Sequence, residues 1–367
     1  MKFSCEKALL VSAISLASRT VAPKSSIPCL EGILLRAGTG VQLTGFNLET
    51  GITVKVGAEV SEPGLCVMPA RLFFDIIRKL PDDEVTVVVD KNLQVSIRGG
   101  ASSFQITAMD AEDYPDLPDV NSEEGIRLPQ SALRDMIGGT LFSVSENQAR
   151  PVLTGCLFEV GEESITLVAV DSSRLARRTW HSEMPIGKNM RFVVPSAALR
   201  EVEKMLEDSD EEMCFTLGSK HLLFEIGDAT LVCRLLEGDF IDWRRVIPTK
   251  NETILTANVS ELTATIERVS LIVSEKNKSP VRCIFGENMA DFKTVNTIGS
   301  AHDTCTIAGN GNELEIGFNC RFLLDALKAV PGEEVVLELQ NGLSPIIFTP
   351  ADKKYDFAYM VLPVRLH

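Results

Sequence analysis

Residues 67–89, VMPARLFFDIIRKLPDDEVTVVV, decide the fold, because the same pattern returns twice further along the chain. The two counterparts are VVPSAALREVEKMLEDSDEEMCFTL at 193–217 and GFNCRFLLDALKAVPGEEVVLEL at 317–339. When Pro69, Pro195 and Asn319 are aligned, apolar residues follow at the same three offsets: Phe73, Ile76 and Leu80; Leu199, Val202 and Leu206; Leu323, Ala326 and Val330. This spacing predicts the buried stripe of an amphipathic helix. The β-branched residues that come next predict a strand.

A second helix precedes this one in each copy. Its matching apolar positions are Leu10, Ile14 and Ala17; Leu133, Ile137 and Thr140; and Leu262, Ile266 and Val269. Strand-like stretches lie between the two helices, separated by turn residues. The sequence therefore predicts an α+β fold of three repeated units, each with two helices and antiparallel sheets.

The ends of the first two units are also similar to each other. DAEDYPDLPDV at 110–120 and LEGDFIDWRRVIP at 236–248 both combine acidic, aromatic and proline residues. We interpret them as exits from a unit into a linker. The predicted domains are 1–121 (N-terminal), 122–250 (central) and 251–367 (C-terminal).

Composition is that of a soluble globular protein, with 45% hydrophobic and 24% charged residues among 367. No apolar run reaches the roughly 18 residues that a membrane span needs, and MKFSCEKALL lacks the features of a secretory signal. The nine cysteines include no CxxC pair. We therefore expect a cytoplasmic protein without a membrane partner, whose thiols are small core residues.

No pattern of catalytic or metal-binding residues is recognisable. The four histidines are scattered singly, and the sequence has no GxGxxG, GxSxG or HExxH. GNGNE at 309–313 predicts a hairpin turn. The acidic run EDSDEEMC at 207–214 is typical of a solvated loop, with binding of a hard cation as the alternative. We expect no catalytic residue, metal or cofactor.

Several segments resemble the β subunit of bacterial DNA polymerase III, the sliding clamp family. They include SSIPCLEGILL, LTGFNLETGI, VMPARLFFDIIRKLP, FEVGEESITLVAVDSSRLA, DWRRVIP, LEIGFNCRFLLDAL and YMVLPVRL, and they extend over essentially the whole chain. The resemblance implies three clamp domains per chain and a head-to-tail homodimer closed into a ring, with helices facing the hole. It implies a non-catalytic processivity factor, nucleoid-associated at replication sites, that slides on double-stranded DNA without sequence preference.

The net charge of −15 argues against a protein that coats nucleic acid through clustered cations. A ring is compatible with this charge, because a closed ring holds the duplex by topology. Sparse Lys and Arg residues on the inner helices are then enough to attract the phosphates. The resemblance implies that the DNA-proximal residues are Lys24, Arg71, Gln148 and Arg150. Pro151 and Val152 stand where some relatives carry an aromatic pair, so we expect no stacking there.

The chain ends on the apolar run YMVLPVRLH at 359–367, which predicts a last strand. The resemblance implies that this tail also forms one wall of a cleft. The cleft binds a short motif, with a glutamine and apolar anchors, of the DNA polymerase III alpha subunit, the clamp loader, other polymerases and repair proteins. The implied cleft residues are Leu153, Val170, Ser172, Arg174, Leu175, Ile241, Arg245, Val246, Ile346, Met360, Leu362, Pro363, Val364 and Arg365.

This sequence departs from its relatives within that cleft. Ser173 stands where many relatives have His, Val170 where Thr is frequent, and Ile241 where Pro is frequent, and His367 extends the end. These changes alter the peptide preference while leaving an apolar groove. The resemblance also implies that the homodimer interface joins an edge strand with Phe104 and Ile106 to a helix end with Ile272 and Val273; ordinary core positions are the alternative for the last two.

Two other classes of function remain open at this point. An enzyme built on a triplicated fold would need a convergent set of acid, base or metal ligands, which the sequence does not display. A scaffold that binds proteins but never DNA would need no positive lining and no ring closure. The cations on the predicted helices favour the clamp over the scaffold.

Overall fold

The computed structural model describes residues 1–81, 83–120, 125–273 and 279–366. Within these residues the chain forms six α-helices: α1 (Lys7–Ser18), α2 (Ala70–Lys79), α3 (Gln130–Gly138), α4 (Ser196–Met205), α5 (Val259–Ser270) and α6 (Cys320–Lys328). Short 3₁₀ helices occur at Pro28–Glu31, Leu141–Ser143, Pro151–Thr154 and Trp243–Arg245.

The strands are antiparallel to their neighbours throughout. In chain order they are β1 (Lys2–Glu6), β2 (Gly32–Ala37), β3 (Val41–Phe46), β4 (Thr50–Val56), β5 (Glu59–Glu62), β6 (Gly64–Pro69), β7 (Glu84–Val89), β8 (Gln94–Gly99), β9 (Ser102–Thr107), β10 (Ile126–Pro129), β11 (Gly155–Val160), β12 (Ser164–Val170), β13 (Arg174–His181), β14 (Met190–Pro195), β15 (Glu212–Leu217), β16 (His221–Ile226), β17 (Ala229–Arg234), β18 (Thr253–Asn258), β19 (Val281–Phe285), β20 (Met289–Val295), β21 (Ser300–Gly309), β22 (Leu314–Phe318), β23 (Glu334–Leu339), β24 (Ile346–Pro350) and β25 (Phe357–Val361).

The order of elements confirms the threefold repeat. A strand leads directly into a helix at β1–α1, β10–α3 and β18–α5, and a strand–helix–strand unit follows at β6–α2–β7, β14–α4–β15 and β22–α6–β23. The two-helix α+β unit that the sequence predicted therefore occurs three times. The predicted domain boundaries stay predictions, and the first, at 121/122, lies outside the described residues.

The chain divides into two compact units. The first comprises Met1–Ser131 and Ala198–Leu235, and the second comprises Ala132–Ala197 and Leu236–His367. Among the described residues, the first unit has one sheet in the order β5-β1-β7-β8-β9 and another in the order β10-β15-β16-β17-β4-β3-β2-β6. The strand β9, which carries Phe104 and Ile106, is an edge of its sheet among the described residues, as expected.

The second unit contains one long sheet. Its order is β14-β11-β12-β13-β25-β24-β23-β18-β21-β20-β19-β22 among the described residues. The helices α5 and α6 pack on a large apolar cluster that includes Leu262, Ile266, Leu323 and Ala326. A second, smaller apolar cluster in this unit is described with the functional site.

The repeated apolar stripe is buried in each copy, but its last position lies beyond the helix. Leu80, Leu206 and Val330 are all buried, yet α2, α4 and α6 end before them. A proline, Pro81 or Pro331, follows two of these residues and disfavours a helical conformation in the residue before it. The chain therefore turns while the apolar side chain still reaches the core.

The helix α3 is shorter than its counterparts. The sequence predicted a stripe of Leu133, Ile137 and Thr140, but α3 ends at Gly138. Thr140 is fully buried after the helix, and its hydroxyl donates to the Met136 carbonyl at 2.8 Å. Two consecutive glycines, which are poor helix formers, end the helix here.

One sequence interpretation needs correction, and the predicted last strand is present. The segment GNGNE at 309–313 is not a hairpin turn, because β21 pairs with β18 and β20 while β22 pairs with β19. The tail does form a last strand, but β25 lies between β13 and β24 in the interior of the sheet. Pro363 comes two residues after β25 ends.

All nine cysteines are buried and free, which confirms them as core residues. Burial raises the pKa of Cys66 to about 12 and that of Cys5 to about 11, so these thiols stay protonated near neutral pH. None of the described helices has the length and apolar character needed to cross a membrane.

Candidate functional site

Several residues of the predicted cleft meet in one apolar cluster of the second unit, here called the cleft cluster. Its buried members are Leu153, Leu157, Val168, Val170, Leu175, Val193, Phe240, Trp243, Ile347, Ala358 and Met360. Ile241 is partly buried and packs against them. Five predicted residues, namely Leu153, Val170, Leu175, Ile241 and Met360, therefore come together from four separate segments of the chain.

Strand register places three of these side chains side by side. Val170 in β12 is directly opposite Leu175 in β13, and Leu175 is directly opposite Met360 in β25. Met360 is in turn opposite Ile347 in β24. Residues opposite each other on neighbouring strands share a face of the sheet. The row Val170, Leu175, Met360 and Ile347 thus forms a continuous apolar surface across four strands.

Trp243 is held in the cleft cluster by one acidic residue. The indole Nε1 of Trp243 donates to Glu159 Oε2 at 3.2 Å. Arg244 donates to the same carboxylate at 2.8 Å, and its guanidinium lies 4.2 Å from the indole ring centroid. Sequence reasoning missed Trp243 and Phe240, although two aromatic residues in the stretch 236–248 were a usable signal.

Apolar side chains continue from the cleft cluster to the surface. Val246 is 42% exposed and Leu362 is 38% exposed, and Val364 is also exposed. Arg245 is 87% exposed, with its Nε 2.9 Å from Asp242 Oδ2. Exposed apolar residues next to a buried apolar cluster are typical of a surface that binds another molecule.

Ile346 lies outside the cleft cluster. It is buried in the larger cluster of the second unit, whereas its neighbour Ile347 belongs to the cleft cluster. Successive residues of a strand point to opposite faces, so only one of the two can face the cleft. Ile347 therefore belongs to the cleft cluster and Ile346 does not, and a contact of Ile346 with a partner peptide stays a prediction.

Arg174, one of the predicted cleft residues, makes internal contacts. Its Nε lies 2.9 Å from Asp171 Oδ2 and its Nη1 lies 2.5 Å from Asp325 Oδ2 in α6. Its guanidinium carbon is 4.4 Å from the Phe322 ring centroid and 5.9 Å from that of Phe142. With a side chain only 11% exposed, Arg174 joins the start of β13 to α6.

The turn before Arg174 is tied to the C-terminal tail. Asp171 Oδ1 accepts the backbone N–H groups of Ser173 and Arg174 at 2.7 and 3.0 Å. The Leu362 N–H donates to the Ser173 carbonyl at 2.8 Å. Ser172, at the tip of this turn, is exposed. The contacts of Arg174 and Asp171 therefore set the position of the tail beside the cleft cluster.

The four predicted DNA-proximal residues are all exposed. Lys24 and Arg71 belong to the first unit, the latter in the first turn of α2. Gln148 and Arg150 lie in the second unit, just before the 3₁₀ helix that carries Leu153. Their contact with DNA stays a prediction.

The predicted dimer residues have different degrees of exposure. Phe104 is exposed on the edge strand β9, and Ile106 is partly buried. Ile272 and Val273 are partly buried just after α5, while the preceding Leu271 is 83% exposed. The Asn296 amide donates to the Ile272 carbonyl at 2.7 Å. Leu271 is the most exposed apolar residue at this helix end, and sequence reasoning did not select it.

Acidic and histidine side chains are arranged in pairs. His181 Nε2 lies 2.9 Å from Asp356 Oδ2 and His302 Nε2 lies 2.6 Å from Asp291 Oδ2. Among the described residues, no group of three or more His, Cys, Asp or Glu side chains has the geometry to hold a metal ion, and this includes the run 207–214.

The entire chain is similar to known proteins of one family. Models of the DNA polymerase III beta subunit match residues 1–118 (N-terminal domain), 127–242 (central domain) and 244–365 (C-terminal domain). The beta sliding clamp of Staphylococcus epidermidis is 30% identical, with 100% of both chains covered. The crystal structures of a putative DNA polymerase III beta subunit from Eubacterium rectale and of the Bacillus subtilis sliding clamp superpose with TM-scores of 0.95 and 0.94, at 30% and 29% identity and full coverage of both chains.

Proposed function

The chain belongs to the DNA polymerase III beta subunit family, and from this premise we propose that two copies close head to tail into a ring around double-stranded DNA. As a member of this family it is a non-catalytic processivity factor in bacterial DNA replication. The ring slides without sequence preference and tethers the replicative polymerase. The observation that carries this proposal is the match of all three consecutive domains of one family to a single chain.

The charges of the helices favour a ring that slides on DNA rather than a protein that binds DNA tightly. Many helix cations are neutralised internally, as in the pairs Lys328–Glu267 at 3.0 Å and Arg268–Asp303 at 2.5 Å. Arg71 in α2 has no acidic partner among the described residues. A few such cations attract phosphates, while a net charge of −15 opposes wrapping of DNA around the outside. Retention then depends on ring closure.

The cleft cluster supplies the docking site for partner peptides. Leucine or phenylalanine anchors of a short motif bury against the exposed side chains of Val246 and Leu362, which border the cleft cluster, and each fully buried anchor contributes about 1.5–3 kcal/mol. Exposed Arg245 and the backbone of residues 362–365 orient the peptide at the rim. The partners are the DNA polymerase III alpha subunit, the clamp loader, other polymerases and repair proteins.

Arg174 has a different role in this proposal. Its donors are directed to Asp171 and Asp325 and its guanidinium stacks on Phe322, so it shapes the cleft wall without reaching the peptide. A planar guanidinium suits this role because it binds two carboxylates and an aromatic face at once.

The dimer interface joins the edge strand β9 of one copy to the end of α5 of the other. Phe104 and Leu271 are exposed apolar residues that need covering. An unpaired strand edge also favours association with a second chain. A head-to-tail contact that closes after two copies satisfies both needs.

Retention on circular and linear DNA tests the ring. The protein is loaded on a nicked circle by a clamp loader, separated from free protein, and then challenged by a single cut in the DNA. We expect retention on the circle and rapid loss after linearisation, because an open end releases a topologically bound ring. A mixture without clamp loader measures the background.

The two other results contradict the proposal in different ways. Equal loss from circle and linear DNA would show that no ring closes, leaving a scaffold that binds only proteins. Equal retention on both would show that direct contacts hold the DNA.

A further inference from the structure

We propose that a concavity beside the C-terminal tail binds an acidic extension of the partner peptide. It has a volume of about 470 Å³ and is lined by Pro280, Arg282, Lys293, Val295, Arg365 and Leu366. We call it the cationic concavity, since three of its six lining residues are cations. None of them belongs to the cleft cluster. The inference rests on the proposed function, because the peptide is held by its anchors in that cluster.

Strand register forces two of the cations together. Arg282 in β19 is directly opposite Lys293 in β20. Directly opposed residues share a face, and like charges in this arrangement repel each other. An anion that lies between them removes the repulsion and gains attraction from both. The sheet therefore keeps two positive charges close together where a negative ligand would stabilise them.

Ion pairs among the described residues compensate only one of the three cations of the concavity. Arg282 Nη1 lies 2.8 Å from Glu315 Oε1. Neither Lys293 nor Arg365 has an acidic partner among the described residues, and both are exposed. In a protein with a net charge of −15, such a local excess of cations selects for carboxylate groups by charge complementarity.

A glycine brings the tail to this position. The Val364 N–H donates to the Gly317 carbonyl in β22 at 2.8 Å. A Cβ atom on Gly317 would lie 2.6 Å from Leu366 Cδ2 and 2.7 Å from the Val364 carbonyl oxygen. Only glycine allows the tail to lie this close to β22. That contact makes Leu366 a wall of the concavity and places Arg365 at its margin.

The distance from the cleft cluster sets the length of the extension. Leu362, bonded to Ser173, and Arg365 are three residues apart, and an extended chain covers about 10 Å in three residues. An extension of three or four residues is therefore long enough for a peptide anchored beside Leu362 to place carboxylates in the concavity. We infer that such partners carry Glu or Asp residues beside their apolar anchors.

The test compares peptides by fluorescence anisotropy. A core peptide has one glutamine and two apolar anchors with serine on both sides; two others carry four glutamates at one end or the other. We expect one acidic peptide to bind the full-length protein about fivefold more tightly than the core peptide at low salt. We expect the gain to shrink as salt rises. It should disappear in R282Q/K293Q, and decrease in K293Q alone, with core-peptide affinity unchanged.

The matched control is R36Q/K55Q, which removes two cations that line another concavity in the first unit. This variant should keep the full gain. Absence of a gain at both ends, or an equal gain in R282Q/K293Q, would overturn the proposal. A loss of duplex DNA affinity in R282Q/K293Q with an undiminished peptide gain would assign the cations to phosphate and also overturn it.

Binding of labelled hexaglutamate tests the cationic concavity independently of peptide binding at the cleft cluster. If the core peptide fails to bind the unaltered protein, the proposed cleft function is wrong. Binding of hexaglutamate that is lost in R282Q/K293Q would still support the cationic concavity. No binding of either probe would overturn both.

Discussion

If Arg174 shapes the cleft wall as proposed, replacement of Arg174 or of its partner Asp325 should weaken peptide binding indirectly. Arg174 holds Asp171 and Asp325, whose side chains are 16% and 30% exposed. The R174A variant leaves both carboxylates without their cation. Breaking a buried ion pair costs about 3–5 kcal/mol. Because Asp325 is partly solvated, we expect a loss of about 3 kcal/mol in the free energy of unfolding.

The D325N variant removes only one of the two ionic contacts. Hydrogen bonds to charged groups contribute about 1.5–3 kcal/mol, and Arg174 keeps its bond to Asp171 in this variant. We therefore expect a loss of about 1.5 kcal/mol. In R174A/D325N the contact between the two residues is already lost through R174A. The free energy of unfolding of the double variant should therefore resemble that of R174A. This corresponds to a coupling of about 1.5 kcal/mol, typical of residues in one network.

The assay combines denaturant unfolding with titration of the core peptide. If Arg174 only shapes the wall, R174A and D325N both lower peptide affinity, and the double variant is no weaker than R174A. The control is R177A in the same strand, which breaks an ion pair of 2.6 Å with Asp356 away from the turn and should leave peptide affinity unchanged. Unchanged affinity in D325N with weakened binding in R174A would refute the reasoning, because it would mean that Arg174 contacts the peptide itself.

Three further predictions follow from the same geometry. Replacement of exposed Phe104 by Asp should shift the dimer toward monomer in sedimentation velocity at micromolar concentration. The control Q105E, on the same strand, should remain dimeric. A dimeric F104D would place the interface elsewhere. Burial would raise the pKa of Asp356, but hydrogen bonds from Arg177 and His181 outweigh it and lower that pKa. This contribution to stability is therefore present above pH of about 4 and is lost as pH falls through the depressed pKa. The melting temperatures of D356N and of the unaltered protein should differ above about pH 4 and converge only when the pH falls below the depressed pKa; a constant difference would contradict this. Because all nine thiols are buried and free, native protein should react with a thiol reagent at pH 8 only as fast as it unfolds, with denatured protein as the control; rapid labelling would show that a thiol is accessible.

Much of the fold could be predicted because it depends on local periodicity. The stripe of Phe73 and Ile76, with its two counterparts, required only helical spacing and burial. The ends of the helices were harder to predict, since they depend on single residues. Pro81 and the two glycines at the end of α3 stopped helices that periodicity alone would have continued. The path from β21 to β22 was missed because a glycine-rich turn does not reveal which strands become neighbours.

The candidate site was only partly readable from the sequence. Val170, Leu175 and Met360 were selected through resemblance, and register then placed them in one row. The membership of Ile347 in the cleft cluster was not predicted, since the face that a residue occupies depends on the register of its strand. Nothing local to Arg174 pointed to Asp325, which lies 151 residues away along the chain.

The sequence by itself determined the threefold α+β repeat, the buried thiols and the family, because these follow from apolar spacing and residue type along one chain. Only the tertiary structure decided that Arg174 faces inward, that Ile347 lines the cleft cluster, and that Arg282, Lys293 and Arg365 share one concavity. The physical reason is that charge compensation and strand register are set by contacts between distant segments. Neither is encoded in the local pattern of any one segment.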